Sequence, residues 1–301
     1  MRILHVDTGR EMRGGQRQVL FLLKGMQAAG VDSMLLARPE SPLAQSAAQA
    51  GFAVLPVSAW NLCVHSKAAD LVHAHDARAH TLAACASRVP FVVSRRVAFP
   101  VKDSLASRWK YRRALRFLAV SQFVAAELER AGVSKESIDI VYDCTESGDE
   151  VGEWRVESPA VALATHDPLK GRDLITQAAQ LVGIPVKYSD NLQRDLQHAS
   201  MFVYITRSEG LGSAALFAMA MGIPVIGSNV GGLPEALAWG EAGLLTANEP
   251  SEIARAMQRM RDDSALAQTL IEQGKRRVAD HFTVQRMVNG TRESYRRALA
   301  G

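Results

Sequence analysis

The sequence predicts an α/β protein with two domains, each built on a doubly wound parallel sheet of the Rossmann-like kind. Short apolar runs alternate with segments of helical length along almost the whole chain of 301 residues. These runs are continuously apolar, as is typical of parallel strands that are buried on both faces of a sheet. Repeated strand–helix–strand units form such sheets, and a chain of this length favours two domains.

The alternation predicts the following elements in order. The predicted strands are 3–6, 34–37, 53–57, 71–73, 91–93, 117–120, 138–141, 160–164, 186–188, 201–205, 224–227 and 244–246. The predicted helices include 16–29, 42–50, 77–86, 121–131 and 284–299.

A change of composition divides the chain near its middle. Segment 145–159 carries five acidic residues, two glycines and a terminal proline, with little apolar content. Such a composition is typical of a linker between domains. We therefore assign residues 1–157 to a first domain, and we expect a cleft between it and the domain that follows.

Composition also excludes several classes of protein. Three scattered cysteines without a Cys-x-x-Cys pair predict neither a disulfide framework nor a zinc site, and favour a reducing, cytoplasmic location. The N-terminus lacks the layout of a signal peptide. Stretch 210–234 is uncharged and long enough to span a bilayer, but its six glycines and two prolines would interrupt a spanning helix. We therefore predict no transmembrane segment.

The first candidate binding loop follows the first strand, because open parallel sheets bind ligands where strands end and helices begin. This polar loop spans residues 7–16 and contains the adjacent glycines Gly14 and Gly15, followed by Gln16. Glycines allow the backbone to approach a ligand closely, and the N-terminus of a helix favours anions. A flexible turn without a ligand is the alternative.

The most informative block is 208–235. A glycine-rich loop enters a helix that is apolar on all sides and is therefore predicted to be buried. The N-terminus of such a helix offers free N–H groups to an anion such as a diphosphate. Glu209, which precedes the loop, would direct its carboxylate at whatever lies beside that phosphate. A tight turn that caps a core helix is the alternative.

This block resembles the signature of glycosyltransferase family 4, whose members have the GT-B fold. The family pattern is Glu-Gly-x-Gly, a buried helix, Gly-x-Pro-Val-x-x-Ser, and a Gly-Gly turn with Pro-Glu, which this chain carries at 209–235. The chain is also similar to the family at Gly14-Gly15-Gln16, at the His73-x-His75 strand end, at Ser121 and at Lys170-Gly171.

The resemblance implies a retaining, metal-independent transferase that needs no cofactor and takes its sugar from a nucleotide diphosphate, for which we expect UDP. It implies an acceptor-binding first domain, a nucleotide-sugar-binding domain at 158–283, and a C-terminal helix at 284–301 that packs back on the first domain. The implied catalytic residues are Glu209 at the donor sugar, Lys170 at the diphosphate, and His75. The implied donor-binding residues are Gly14, Gly15, Gln16, Lys170, Gly210, Leu211, Gly212 and Ser213.

Three positions depart from the family pattern. Phe217 stands where the family has a second glutamate, and Thr165 stands about where it has an arginine. Arg95 or Arg96 replaces a histidine expected after the fifth strand. These departures keep open a catalytically degenerate GT-B protein that acts as a binding partner. A GT-B isomerase or phosphorylase is a further alternative.

The histidines could form a second kind of site. His73, His75 and His80 lie near one strand end, and alternation puts His73 and His75 on the same side of the strand. The sequence shows no third ligand nearby, so we predict no metal site. We assign His75 to the cleft and His73 to the structure. His166, which precedes Lys170, could either reach the donor or lie in a solvated loop.

The first domain carries the positive charge. Residues 1–145 hold 19 Lys+Arg against 12 Asp+Glu, a net charge of +7, whereas residues 146–301 hold 16 against 19, a net charge of −3. A basic cluster with interleaved aromatic residues is compatible with a solvated helix, and also with an anionic membrane surface or an anionic acceptor. No motif for binding nucleic acid accompanies it.

We therefore predict a glycosyltransferase of envelope polysaccharide or lipopolysaccharide biosynthesis, peripheral at the inner face of the membrane. Its acceptor would be a lipid-linked or anionic glycan. The residues predicted to dock on the membrane are Arg108, Lys110, Arg112, Arg113 and Arg116.

Overall fold

A computed structural model of the chain describes residues 1–102, 104–146, 152–165 and 167–300. Its strands are β1 (Arg2–Val6), β2 (Asp32–Ala37), β3 (Ala53–Pro56), β4 (Leu71–Ala74), β5 (Phe91–Arg95), β6 (Arg116–Ala119), β7 (Ile138–Ile140), β8 (Ala160–Leu163), β9 (Val186–Ser189), β10 (Phe202–Tyr204), β11 (Val225–Ser228) and β12 (Leu244–Thr246). The predicted strands all form, and none of their bounds is displaced by more than two residues.

Helices connect these strands, as the alternation predicts. They are α1 (Gly14–Ala28), α2 (Pro42–Gln49), α3 (Ala59–Ser66), α4 (Ala77–Ala86), α5 (Leu105–Arg113), α6 (Gln122–Arg130), α7 (Arg172–Val182), α8 (Leu192–Asp195), α9 (Ser213–Ala220), α10 (Leu233–Ala236), α11 (Pro250–Asp262), α12 (Ser264–His281) and α13 (Val284–Ala300). Within the described residues, no helix is both long enough and apolar enough to cross a membrane.

The chain forms two compact units. Unit 1 comprises Met1–Cys144 and Val284–Gly301, and unit 2 comprises Thr145–Thr283. Residues 145–157 group with unit 2 in this division, and α13 groups with unit 1. Part of the predicted linker, 147–151, lies outside the described residues. The domain bounds drawn from the sequence stay a prediction.

Unit 1 is built on a seven-stranded parallel sheet in the order β3-β2-β1-β4-β5-β6-β7. The strand order reverses between β1 and β4. Helix α13 packs against α1 so closely that a Cβ at Gly25 would lie 2.4 Å from Val288. Its side chains Met287 and Tyr295 share a buried core with Ile3. The C-terminal helix is thus part of the hydrophobic core of unit 1.

Unit 2 is built on a five-stranded parallel sheet in the order β12-β11-β10-β8-β9. The strand order reverses between β8 and β10. Buried apolar side chains from the sheet and from α7, α11 and α12 form its core, among them Val203, Ile175, Met257 and Leu270. The doubly wound, two-domain α/β fold predicted from the alternation is confirmed.

Candidate functional site

The first candidate site lies in unit 2 at the reversal of strand order. Neighbouring strands β8 and β10 lead into connections on opposite sides of this point, and doubly wound sheets bind ligands at such places. Lys170 follows β8, and Glu209 follows β10. The topology therefore brings together two predicted catalytic residues that are 39 positions apart in the sequence.

Lys170, Tyr204 and Glu209 form a closed triangle of hydrogen bonds. Lys170 Nζ donates to Glu209 Oε2 at 2.7 Å and to Tyr204 Oη at 2.9 Å. The Tyr204 hydroxyl donates in turn to Glu209 Oε2. The side chains of Lys170 and Glu209 remain 23% and 16% exposed, whereas Tyr204 is buried. The charged pair is therefore accessible to a ligand, and the buried Tyr204 hydroxyl is hydrogen-bonded to both of its members.

Tyr204 was not among the residues predicted from the sequence. A single tyrosine at the end of an apolar strand is typical of core, and only its place at the carboxyl end of β10 could have indicated a role. Burial and the neighbouring Glu209 carboxylate raise the pKa of Tyr204 well above its usual value of about 10. The hydroxyl therefore stays protonated near neutral pH and can donate to Glu209.

The glycine-rich loop leads into α9 as predicted. Gly212 has a φ of 107°, and a Cβ at this position would lie 2.7 Å from Leu233 Cδ1, so the position requires glycine. Among the described residues, no side chain caps α9 and no acid lies in its first turn. The first N–H groups of α9, from half-buried Ser213 onward, thus point out of the helix without an internal partner. Gly210 and Leu211 are buried beside them.

A glycine turn fixes the backbone of Glu209. The N–H of Gly232 donates to the carbonyl oxygen of Glu209 at 3.0 Å. Gly231 has a φ of +63°, and a Cβ on it would lie 2.1 Å from the same oxygen. This contact gives a physical reason for the Gly-Gly pair that follows the buried helix in the sequence.

Two of the three positions that depart from the family pattern lie on elements that form this site, whereas Arg95 and Arg96 lie in unit 1, at the end of β5. Phe217 is half-buried on α9 and has no group that could accept a hydrogen bond from a ribose. Thr165 Oγ1 accepts a hydrogen bond from the N–H of Asp167 at 3.1 Å. His166 lies outside the described residues.

The second candidate site lies in unit 1, where β1 and β4 end. The loop after β1 folds around the Asp7 carboxylate, which accepts hydrogen bonds from the N–H of Gly9 at 2.8 Å and from Gln16 Nε2 at 3.1 Å. Burial and the nearby Asp76 raise the pKa of Asp7. Gln16, which we predicted to bind the donor, thus holds its own loop through Asp7.

Gly14 and Gly15 begin α1 at this edge of the sheet. Gly14 is exposed and Gly15 is half-buried. The N-cap residue Arg13 makes no side-chain hydrogen bond to the helix, and the first turn contains no acid. The amide groups at this end of α1 are therefore suited to an anion, as the sequence predicts.

His75 lies in a buried cluster with His5 and His73. His75 Nε2 lies 3.0 Å from His5 Nδ1, and the nitrogens of His73 lie 2.6 Å from Tyr295 Oη and 2.8 Å from Ser94 Oγ. Burial lowers the pKa of all three imidazoles, that of His5 to about 3, so they are neutral near pH 7.

The expected grouping of His80 with this cluster is wrong. His80 lies on α4 and contacts other residues: its Nε2 lies 3.2 Å from the carbonyl oxygen of Lys110. His5 takes its place, because His5 and His73 are register partners on adjacent strands. Nitrogen atoms of His5, His73 and His75 lie within 4.8 Å of one another, so a third possible metal ligand does exist. Both nitrogens of His73 are engaged with hydroxyls, whereas His5 Nε2 and His75 Nδ1 are buried and have no hydrogen-bond partner among the described residues.

The basic cluster differs from its prediction at one residue. Arg116 Nε and Nη2 donate to the Asp139 carboxylate at 2.6 and 2.8 Å, and the two side chains are only 14% and 10% exposed. The prediction that Arg116 docks on a membrane is therefore wrong, because its charge is paired and mostly buried. The other four cations lie on α5, which buries none of its residues: Arg108, Lys110, Arg112 and Arg113.

Residues of both units match models of glycosyltransferase families. Residues 12–146 match the model described as Glycosyltransferase Family 4. Residues 165–263 match the model described as Glycosyl transferases group 1. The match at 165–263 contains the first candidate site, and the match at 12–146 contains Gly14, Gly15, Gln16, His73 and His75 of the second but begins after Asp7.

Individual relatives are similar over shorter stretches. A D-inositol 3-phosphate glycosyltransferase of Paenarthrobacter aurescens is 39% identical over 106 residues, which are 34% of this chain and 25% of that protein. The capsular polysaccharide biosynthesis glycosyltransferase CapM of Staphylococcus aureus is 29% identical over 105 residues, 35% of this chain and 26% of its own length. The chain thus covers about a quarter of the length of these relatives.

The fold as a whole has a counterpart among solved structures. HepE of Anabaena, solved in complex with UDP, superposes with a TM-score of 0.87, covering 99% of this chain and 100% of its own, at 15% sequence identity. At this identity the likeness shows the fold alone.

Proposed function

Since the chain belongs to the glycosyltransferases of the family 4 type, we propose that it transfers a sugar from a nucleotide-diphosphate donor, with UDP as the nucleotide. The triangle of Lys170, Tyr204 and Glu209 beside the uncapped N-terminus of α9 carries this proposal. Structures of HepE with UDP and with UDP-glucose support the choice of UDP.

The site has the charges that the departure of a nucleoside diphosphate requires. As the glycosidic bond breaks, negative charge develops on the diphosphate, and groups fixed in advance stabilise it best. The Lys170 ammonium and the N–H groups at the start of α9 supply this stabilisation, while the Glu209 carboxylate faces the sugar. The reaction proceeds with retention and without a metal or cofactor in this proposal.

The proposed acceptor is a lipid-linked or anionic glycan, used at the inner face of the membrane. The basic helix α5 supports this choice, since its exposed side chains include Leu105 at 84% and Trp109 at 46% beside the four cations. A cavity of about 570 Å³ next to α5 is lined in part by Lys102, Arg108 and Arg112. The similarity to a capsular polysaccharide transferase supports the same class of acceptor.

A catalytically degenerate GT-B protein is the second candidate, favoured by Phe217 and Thr165 at positions where the family has charged residues. Calorimetric titration with the diphosphates of uridine, guanosine, adenosine and thymidine separates the two. We expect UDP to bind, and failure of all four to bind would favour the degenerate protein. Release of the sugar to an acceptor or to water separates a transferase from an isomerase or phosphorylase.

Replacing Lys170 tests the diphosphate contact directly. Lys170→Ala should weaken UDP binding roughly 10- to 150-fold, since a hydrogen bond to a charged group is worth about 1.5–3 kcal/mol. Uridine, which lacks the diphosphate, should bind the variant and the parent equally in the same calorimetric titration. Equal affinity of both proteins for UDP would remove Lys170 from the diphosphate site.

The proposed membrane contact can be tested with vesicles. Changing Arg108, Lys110, Arg112 and Arg113 to serine should abolish sedimentation with vesicles of acidic lipid, since each cation near an anionic surface contributes about 1 kcal/mol. The parent should bind at low salt and dissociate at 1 M salt, where the Debye length is about 3 Å. A matched control changes four exposed cations of unit 2 to serine: Arg255, Arg259, Lys275 and Arg276. The membrane proposal fails if the parent ignores acidic vesicles, or if both variants lose binding equally.

A further inference from the structure

We propose that Tyr204 is a positioning residue, whose hydroxyl holds the Glu209 carboxylate in place when the diphosphate of the donor draws Lys170 away. The inference rests on the proposed function, because it concerns the same site. It goes beyond that function by giving a role to a residue that the family pattern does not include.

The hydrogen bonds of Glu209 show why such a residue is needed. Glu209 Oε2 accepts hydrogen bonds from both Lys170 and Tyr204, and Glu209 Oε1 accepts one from the N–H of Gly210 at 3.1 Å. The Lys170 ammonium uses two of its three N–H donors on Glu209 and Tyr204, and the negative charge of a diphosphate would compete with Glu209 for it. When it turns to the diphosphate, Tyr204 remains as the donor to Oε2 and the Gly210 amide as the donor to Oε1. Each carboxylate oxygen then keeps one partner.

Tyr204 is held rigidly enough to orient another side chain. It is 5% exposed, and its ring stacks on Phe202 with a centroid distance of 5.7 Å and an interplanar angle of 17°. A Cβ on Gly212 would lie 3.5 Å from Tyr204 Cε1, so the ring also contacts the loop that enters α9. A side chain packed on two sides has little freedom to follow Lys170.

The groups around the triangle determine how Glu209 would respond to loss of the Tyr204 hydroxyl. Lys170 faces the carboxylate directly, and Asp167 acts electrostatically on Tyr204 from the loop after β8. Without the hydroxyl, Lys170 would be the remaining donor to Oε2. Once Lys170 turned to the diphosphate, the Gly210 amide alone would hold the carboxylate, through Oε1.

Tyr204→Phe keeps the ring and removes only the hydroxyl. We expect its affinity for UDP to stay within about twofold of the parent value. Its affinity for UDP-sugars should fall about tenfold, because Glu209 contacts the sugar and not the nucleotide in this proposal. Tyr188→Phe is the matched control: it removes another tyrosine hydroxyl of unit 2, which donates to the Arg172 carbonyl oxygen at 3.3 Å, and it should change none of these quantities.

A double-mutant cycle with Glu209→Gln completes the test. If Tyr204 acts through Glu209, Tyr204→Phe should have little further effect on UDP-sugar affinity in the Glu209→Gln background. Equal losses of UDP and UDP-sugar affinity, or an undiminished effect of Tyr204→Phe in the Glu209→Gln background, would show that Tyr204 is merely structural. If the parent binds no nucleoside diphosphate, the proposed function fails and this inference fails with it.

Discussion

Gly231→Ala will abolish donor turnover and destabilise unit 2 by about 2–5 kcal/mol. A left-handed backbone conformation costs a residue with a Cβ about 1–2 kcal/mol, and forcing an atom into packed surroundings costs about 1–3 kcal/mol more. At Gly231 both costs arise, because its φ is +63° and the new Cβ would lie 2.1 Å from the carbonyl oxygen of Glu209. The backbone must shift, and the Glu209 carboxylate shifts with it.

Gly183→Ala is the control for this substitution. Gly183 has a φ of +64° at the end of α7, but an added Cβ there meets no atom within 4 Å. We therefore expect this variant to lose about 1–2 kcal/mol and to keep its turnover. Urea unfolding and donor turnover of both variants give the comparison. Two variants with equal stability and equal turnover would show that the contact with Glu209 is unimportant.

The fold could be predicted because its elements are fixed by local pattern. Strands such as β4 and β10 are buried on both faces, so their apolar character is continuous and needs no knowledge of their neighbours. Lys170 and Glu209 follow the predicted strands 160–164 and 201–205, so both are expected near the carboxyl ends of strands. The roles of these two residues were predicted from the resemblance to the family and, for Glu209, from the glycine-rich loop that follows it.

Pairs that depend on the packing of distant segments could not be predicted. Asp139 neutralises Arg116 across two neighbouring strands, β6 and β7, and the charge run in the sequence gives no sign of it. His5 joins His73 and His75 only because β1 lies beside β4. Tyr204 gains its partners from the connection after β8 and from the loop after its own strand. In each case the signal lies in the strand order rather than in the sequence near the residue.

Acid will destabilise the protein steeply below pH 6.5 because of its buried histidines. Burial lowers the pKa of His5 and His80 to about 3, and lowers those of His73 and His75 well below their usual range. In the unfolded chain the same imidazoles bind a proton near pH 6.5. Between about pH 6.5 and 3 the unfolded state therefore binds more protons, and stability falls as the pH falls. At pH 5, His5 and His80 each reduce the free energy of unfolding by about 2 kcal/mol.

His80→Phe isolates one of these contributions. His80 packs among Phe91, Tyr111 and Phe117, so a phenylalanine ring suits its surroundings and carries no titrating group. Between pH 7.5 and 5 the variant should lose about 2 kcal/mol less of its free energy of unfolding than the parent, as measured by urea unfolding at each pH. His198→Phe, at an exposed histidine, should follow the parent. Parallel pH profiles for His80→Phe and the parent would mean that His80 binds its proton equally well in both states, and that its burial does not weaken the fold in acid.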